Sequence, residues 1–273
     1  MQRKIFLISD RTGITIEGMA EAVMSQFASE DYNFRLMPFI DSDSKLQSAI
    51  EIINSSVDED ELPPIVFSSL VSTEFRQELK KTKALNIDLF ERFLTPIEKY
   101  MGCHRIQTTG QTHGLNDVHH YDQKQEAINF TINHDDGLLP EQLDRADIIL
   151  IGVSRSGKTP SCLYLALNYG IRAANYPLIE DDMIRLGLPE SLKKNKAKLF
   201  GLRISAERLH NIREARRPNS HYASLAQCRK EAKWVDQLYK TEKIPHIATT
   251  TMSVEEIAAN IRSQLLEKSP LCY

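Results

Sequence analysis

The sequence predicts an α/β fold in two parts: an N-terminal α/β domain over residues 1–145, then a kinase-like P-loop domain with a parallel sheet over residues 146–273. Three observations carry this. Short apolar runs alternate with stretches of helical periodicity along the 273 residues, the order that builds a parallel sheet with right-handed crossovers. One run, residues 148–151, leads directly into Gly152-Val153-Ser154-Arg155-Ser156-Gly157-Lys158-Thr159, which fits Gly, four residues, then Gly-Lys-Ser/Thr. The composition, 41% hydrophobic and 26% charged, is that of a globular chain with ample core material.

In the first half, residues 4–9 read as a strand, and Ile16, Met19, Ala20, Val23 and Phe27 then share one helical face. Residues 34–40 are strand-like, and Leu46, Ile50 and Ile53 suit a second helix. Pro63-Pro64 turns the chain into a third strand over 65–67, followed by helices near 73–81 and 87–100. Periodicity fails from 101 to about 121, a length of loop that is usually functional or a linker. Regular structure resumes over 123–131 and stops at Gly137.

The second half reads as a self-contained unit, with a boundary near residues 144–147. After the 148–151 strand and the glycine-rich loop, Leu163, Leu165, Ala166 and Leu167 mark a helix ended by Gly170. Strands over 173–176, 199–204 and 244–249 follow, with helices over 205–216 and 223–239. Ser253 with Glu256 forms a capping box for a last helix, whose inner face is Val254, Ile257, Ile261 and Leu265.

The loop points to phosphate chemistry. Glycines at 152 and 157 let successive N–H groups turn toward an anion, and the following helix adds the positive end of its dipole. Lys158 supplies a cation for the terminal phosphate oxygens, and the Thr159 hydroxyl is placed to ligate Mg²⁺. Asp181 and Asp182 follow the next strand, and each suits a water-mediated Mg²⁺ contact, a general base or a plain helix cap. His134-Asp135-Asp136-Gly137 sets an imidazole beside two carboxylates, suited to a base, a magnesium ligand or a polar turn. His104, His113, His119, His120 and His134 match no zinc spacing. Arg208, Arg213, Arg216 and Arg217 suit either a phosphate-neutralising lid or a solvated helix end. Ser9-Asp10-Arg11-Thr12-Gly13-Ile14-Thr15 suits a second anion pocket or, preferably, a helix cap by Thr12 or Thr15.

A formal charge of −3 argues against a general nucleic-acid binder, and no apolar run approaches a membrane span. The apolar N-terminal run closes on Asp10 without a small-residue cleavage site, so it reads as a strand and not as a signal peptide. Cys103, Cys162, Cys228 and Cys272 are far apart, as reduced thiols in a cytoplasmic protein would be. Oligomeric state stays open, a symmetric homodimer being the commonest case.

SDRTGIT, INFTINHDDG, IGVSRSGKTP, IRAANYPLIEDDM, LFGLRI and NSHYASLAQC occur in that order. Together they resemble the bacterial phosphoenolpyruvate synthase regulators of the pyruvate, phosphate dikinase regulatory family. The resemblance runs nearly end to end; Arg11, where a small residue is common, is its one local departure. It implies a bifunctional enzyme. Such proteins phosphorylate a threonine of phosphoenolpyruvate synthase or the related dikinase, with ADP as donor, and inactivate it. They remove that phosphate by attack of inorganic phosphate, releasing pyrophosphate and restoring the target. Under this resemblance residues 152–159 hold the nucleotide and the first half docks the partner. Two other readings fit the residues: a small-molecule kinase of the nucleoside-monophosphate type, with Arg213, Arg216 and Arg217 as lid, and a nucleotide-sensing module that only binds.

Overall fold

The computed structural model describes residues 3–27, 32–59, 63–104, 118–135, 140–184 and 187–268. By its internal contacts the chain falls into two compact units, Met1–Leu115 and Asn116–Tyr273. The division lies some way before the boundary expected near 145.

The first unit runs β1 (Arg3–Ile8), α1 (Ile14–Met24), β2 (Tyr32–Met37), α2 (Asp43–Glu59), β3 (Ile65–Ser68), α3 (Thr73–Leu79), β4 (Leu85–Asp88) and α4 (Leu89–Met101). The four strands form a parallel sheet in the order β2-β1-β3-β4. Strand periodicity explains the two layers of core. Alternate residues of β1 point to opposite faces. Ile5 and Leu7 pack with Ile16 and Ala20 of α1, while Phe6 and Ile8 pack with Leu46, Ala49 and Ile53 of α2. Each of the larger apolar side chains so removed from water contributes about 1.5–3 kcal/mol.

The sequence predicts helix over 87–100, but Leu85–Asp88 is a strand paired to β3, its short span held by that pairing, and Asp88 caps α4 by accepting from Glu91 N at 3.0 Å. Neither Thr12 nor Thr15 caps α1. The N-cap is Gly13, at φ 81° and with no side-chain cap. A Cβ there would meet Leu36 Cδ1 at 2.6 Å, so glycine is required by conformation and by space. The SDRTGIT turn is tied down instead by Asp10, whose Oδ2 accepts from Val71 N at 3.0 Å.

The second unit runs α5 (Val118–Asn133), β5 (Ile148–Gly152), α6 (Lys158–Tyr169), β6 (Ala173–Pro177), α7 (Glu180–Ile184), α8 (Glu190–Lys194), β7 (Leu199–Arg203), α9 (Ala206–Arg216), α10 (Leu225–Thr241), β8 (His246–Ala248) and α11 (Val254–Lys268). Its sheet is again parallel, in the order β6-β5-β7-β8. Ile149 and Ile151 face a layer with Leu209, Val235 and Tyr239. Ile148 and Leu150 face the other, with Leu165, Ile257 and Ile261. The capping box forms as expected: Ser253 N donates to Glu256 Oε2 at 2.8 Å, and Glu256 N to Ser253 Oγ at 3.2 Å. Helix α5 packs on α6 and β6. The chain leaves β5 to one side for β6 and returns to the other for β7. The carboxyl end of β5 is thus a topological switch point, the place where ligands of such sheets bind.

Candidate functional site: a glycine-rich loop with a part-buried polar cluster

At the switch point lies the glycine-rich loop, running from the end of β5 to the start of α6. Gly152 is fixed by crowding, since a Cβ there would lie 2.7 Å from the Leu202 carbonyl oxygen and 2.8 Å from Ser156 Oγ. Arg155 and Gly157 are left-handed at φ 78° and 95°, and α6 starts after Gly157 with no side-chain cap. An uncapped helix end behind a turned loop is an anion-binding arrangement.

Lys158 is buried, and its Nζ donates to the Val153 carbonyl at 2.9 Å. The ammonium is thus stored inside the loop it would serve, next to where phosphate oxygens would lie. Thr159 Oγ1 donates to Asp135 Oδ1 at 2.9 Å. Asn175, buried on β6, donates through Nδ2 to the same carboxylate oxygen and also lies 2.9 Å from Thr159 Oγ1. Hydroxyl, carboxylate and amide thus meet at the first turn of α6. Hard oxygen donors are what Mg²⁺ takes, and a phosphate site needs only one or two carboxylates because the substrate supplies the rest. Among the described residues no three His, Cys, Asp or Glu side chains gather as a metal cluster.

The other expected residues are placed as follows. His134 is buried and stacked on Phe130, with ring centroids 3.9 Å apart. Its Nδ1 lies 2.8 Å from the Phe130 carbonyl oxygen, which can only accept, so Nδ1 is the donor, and Nε2 has no hydrogen-bond partner. Its own carbonyl accepts from Asn175 N at 3.0 Å, so His134 also seats the strand that carries the cluster. Asp182 is buried, and its Oδ2 accepts from Ile179 N at 3.1 Å, closing the first turn of α7 as a cap does. Asp181 is exposed one residue away. Asp136 and Gly137 lie outside the described residues, as does most of the 101–121 stretch with His113.

Of the four arginines, Arg213 is no lid. Its side chain is 1% exposed and forks onto Glu231, Nη1 to Oε1 at 3.0 Å and Nη2 to Oε2 at 2.6 Å. Nη2 also donates to the Ser154 carbonyl at 3.1 Å, from behind the phosphate loop. Burial works against the guanidinium charge, but Glu231 outweighs it and the pKa stands above the ordinary value. Arg208, Arg216 and Arg217 are exposed.

A family described as kinase/pyrophosphorylase matches residues 5–261. The chain belongs to that family. Kinase/pyrophosphorylase membership spans both units, so the first unit is part of the family's architecture and not an appendage. A relative from Pseudomonas savastanoi pv. phaseolicola (strain 1448A / Race 6) is 45% identical over 268 residues, 98% of this chain and 97% of the relative. One from Legionella pneumophila (strain Corby) is 47% identical over 261 residues, 96% of each. Both are named, provisionally, as phosphoenolpyruvate synthase regulatory proteins. The family description names phosphoryl chemistry, and the glycine-rich loop with Lys158 and the Thr159–Asp135–Asn175 cluster is the candidate place for it. Among the described residues no helix is long and apolar enough to cross a membrane.

Proposed function

We propose that this kinase/pyrophosphorylase regulates phosphoenolpyruvate synthase in the cytoplasm through two opposed reactions at one phosphate cradle. In the first, the oxygen of a target threonine attacks the β-phosphorus of ADP. The bond from that phosphorus to the bridging oxygen breaks, AMP leaves, and the hydroxyl proton passes to a base. In the second, an oxygen of inorganic phosphate attacks the phosphothreonine phosphorus. The threonine oxygen leaves and takes up the phosphate's proton, giving pyrophosphate and the free hydroxyl. Each reaction moves one phosphoryl group between oxygens, so one set of residues can serve both.

The observation that carries the reading is the loop itself: Lys158 stored against Val153 O, and Thr159 joined to Asp135 and Asn175. Residues 152–159 would hold the β-phosphate, and Lys158 would turn from Val153 to the transferred group. Thr159 and Asp135 would hold Mg²⁺, with Asn175 orienting them; bound there, the ion would offset charge on the phosphoryl oxygens. Asp181, Asp182 and His134 are the candidates for the base. Asp181 alone of them is exposed, while Asp182 holds a helix cap and His134 has only Nε2 available. The names of the relatives support the target, and the first unit is the proposed docking part. The small-molecule kinase reading loses Arg213 from its lid.

The test is phosphoryl transfer to purified phosphoenolpyruvate synthase with ADP or ATP as donor, read by mass spectrometry of the target. Phosphothreonine with ADP, together with AMP release, is expected. An unmodified but competent target under both nucleotides would overturn the proposal in favour of a small-molecule kinase or a binding-only regulator.

A further inference from the structure

The phosphate loop is held from outside, and the holds fall on alternate carbonyls. Gly152 O accepts from Leu178 N at 3.0 Å. Ser154 O accepts from Arg213 Nη2 at 3.1 Å, and Ser156 O from Thr249 Oγ1 at 3.1 Å. Among the described residues no peptide bond is cis. In a trans peptide the carbonyl and the next N–H point in opposite directions. A group that captures the Ser154 carbonyl from behind therefore aims the Arg155 N–H inward, and capture of the Ser156 carbonyl aims the Gly157 N–H inward.

Both captors are built for the task. Arg213 reaches the loop from α9 with its second nitrogen and its charge committed to Glu231, and Nη1 further donates to Tyr222 O at 3.0 Å. Its guanidinium lies 4.0 Å from the centre of the Tyr222 ring, and Tyr222 Oη is 2.9 Å from Ser154 Oγ. Ser154 is thus gripped at carbonyl and hydroxyl by one assembly. Thr249 is buried at the end of β8, where its hydroxyl also lies 3.2 Å from Arg203 O. Between the two holds sits Arg155, a non-glycine residue in left-handed conformation, which a loop without support would resist.

We infer that Arg213 and Thr249 are positioning residues of the phosphate loop, each holding one carbonyl outward so that the Arg155 and Gly157 amides face the bound phosphate. The inference rests on the reading of residues 152–159 as a phosphate cradle. It assigns a task to α9, α10 and the end of β8 in a reaction whose reacting atoms they do not touch.

The experiment uses the full chain and the variants T249V, R213Q and R213K. ADP affinity is measured by calorimetry, thermal midpoint by circular dichroism, and the Arg155 and Gly157 amides by ¹⁵N shifts. T249V keeps the shape and removes one donor. It is expected to weaken ADP binding about tenfold, the effect of turning one amide away from its charge-assisted hydrogen bond to phosphate, while remaining folded. R213Q weakens it at least as much, and R213K, which keeps a donor, recovers part. In each variant the amide behind the lost hold shifts. A folded T249V with wild-type ADP affinity and an unmoved Gly157 amide overturns the inference, even if R213Q does not fold. If the wild-type chain binds no ADP, the cradle reading fails; the holds are then judged by the amides alone, upheld by shifts in T249V and R213K and refuted by their absence.

Discussion

The Thr159 hydroxyl donates to Asp135 at 2.9 Å across 24 residues of sequence, joining the first turn of α6 to the end of α5. A hydroxyl in this loop position is useful only with a carboxylate near it, because a lone hydroxyl is a weak ligand for a hard cation. D135N keeps the shape and removes the charge. The phosphoryl-transfer rate should fall about 100-fold and half-saturation by Mg²⁺ should rise, with the thermal midpoint within a few degrees of wild type. T159S, which retains the hydroxyl, should keep most of the rate. A D135N protein with wild-type magnesium dependence would remove Asp135 from the site.

Lys158 tests whether the two proposed reactions share a cradle. Its ammonium is buried and held by Val153 O, so its removal relieves a desolvated charge as well as a hydrogen bond. K158A should therefore fold, with a stability change within about 2 kcal/mol by urea titration. Kinase and pyrophosphorylase rates should both fall about 1000-fold or more. Near-normal retention of either one would mean that the two reactions use different sites.

Much of this was legible in the sequence because it is local. The strand–loop–helix over 148–169 follows from an apolar run, two glycines and helical spacing, and the Ser253–Glu256 box from a four-residue pattern. What escaped was non-local. β4 is four residues at a sheet edge with Leu85 59% exposed, held by pairing to β3, and its Leu-Asn-Ile-Asp alternation is too short to stand apart from the helical spacing that follows. Asp135 stood in a noted constellation, but nothing there tells which of its residues reaches Thr159. Asn175 gave no signal, since a single amide in a strand means something only beside its neighbours. For Arg213 the sequence offers a lid or a solvated helix end, and neither anticipates its burial, because its partner Glu231 lies on the next helix.

The cysteines offer a check on burial around the loop. Cys162, on the buried face of α6, and Cys228, beside Arg213, are both buried, and burial raises each thiol pKa. Since only the thiolate attacks alkylating agents, a raised pKa means less reactive species at any pH below it. Iodoacetamide at pH 8 should label exposed Cys103 in the native protein and leave Cys162 and Cys228 unmodified until denaturant is added. Peptide mapping that finds Cys162 labelled natively at the rate of Cys103 would contradict the packing beneath the loop.

Two glycines with opposite surroundings test the account of close approach. Gly18 lies inside α1 with nothing within 4 Å of an added Cβ, so G18A should stabilise the protein by about 0.5–1 kcal/mol through helix propensity. Gly152 sits where a Cβ would press on the Leu202 backbone oxygen. That oxygen belongs to β7, which pairs with β5 through Ile151 and Gly201, so it yields only if the central strands separate. G152A should cost about 3 kcal/mol or more in urea denaturation and distort the loop enough to remove ADP binding. If G152A instead proves as stable as wild type, the β5–β7 approach is looser than 2.7 Å implies, and the glycine serves the phosphate alone.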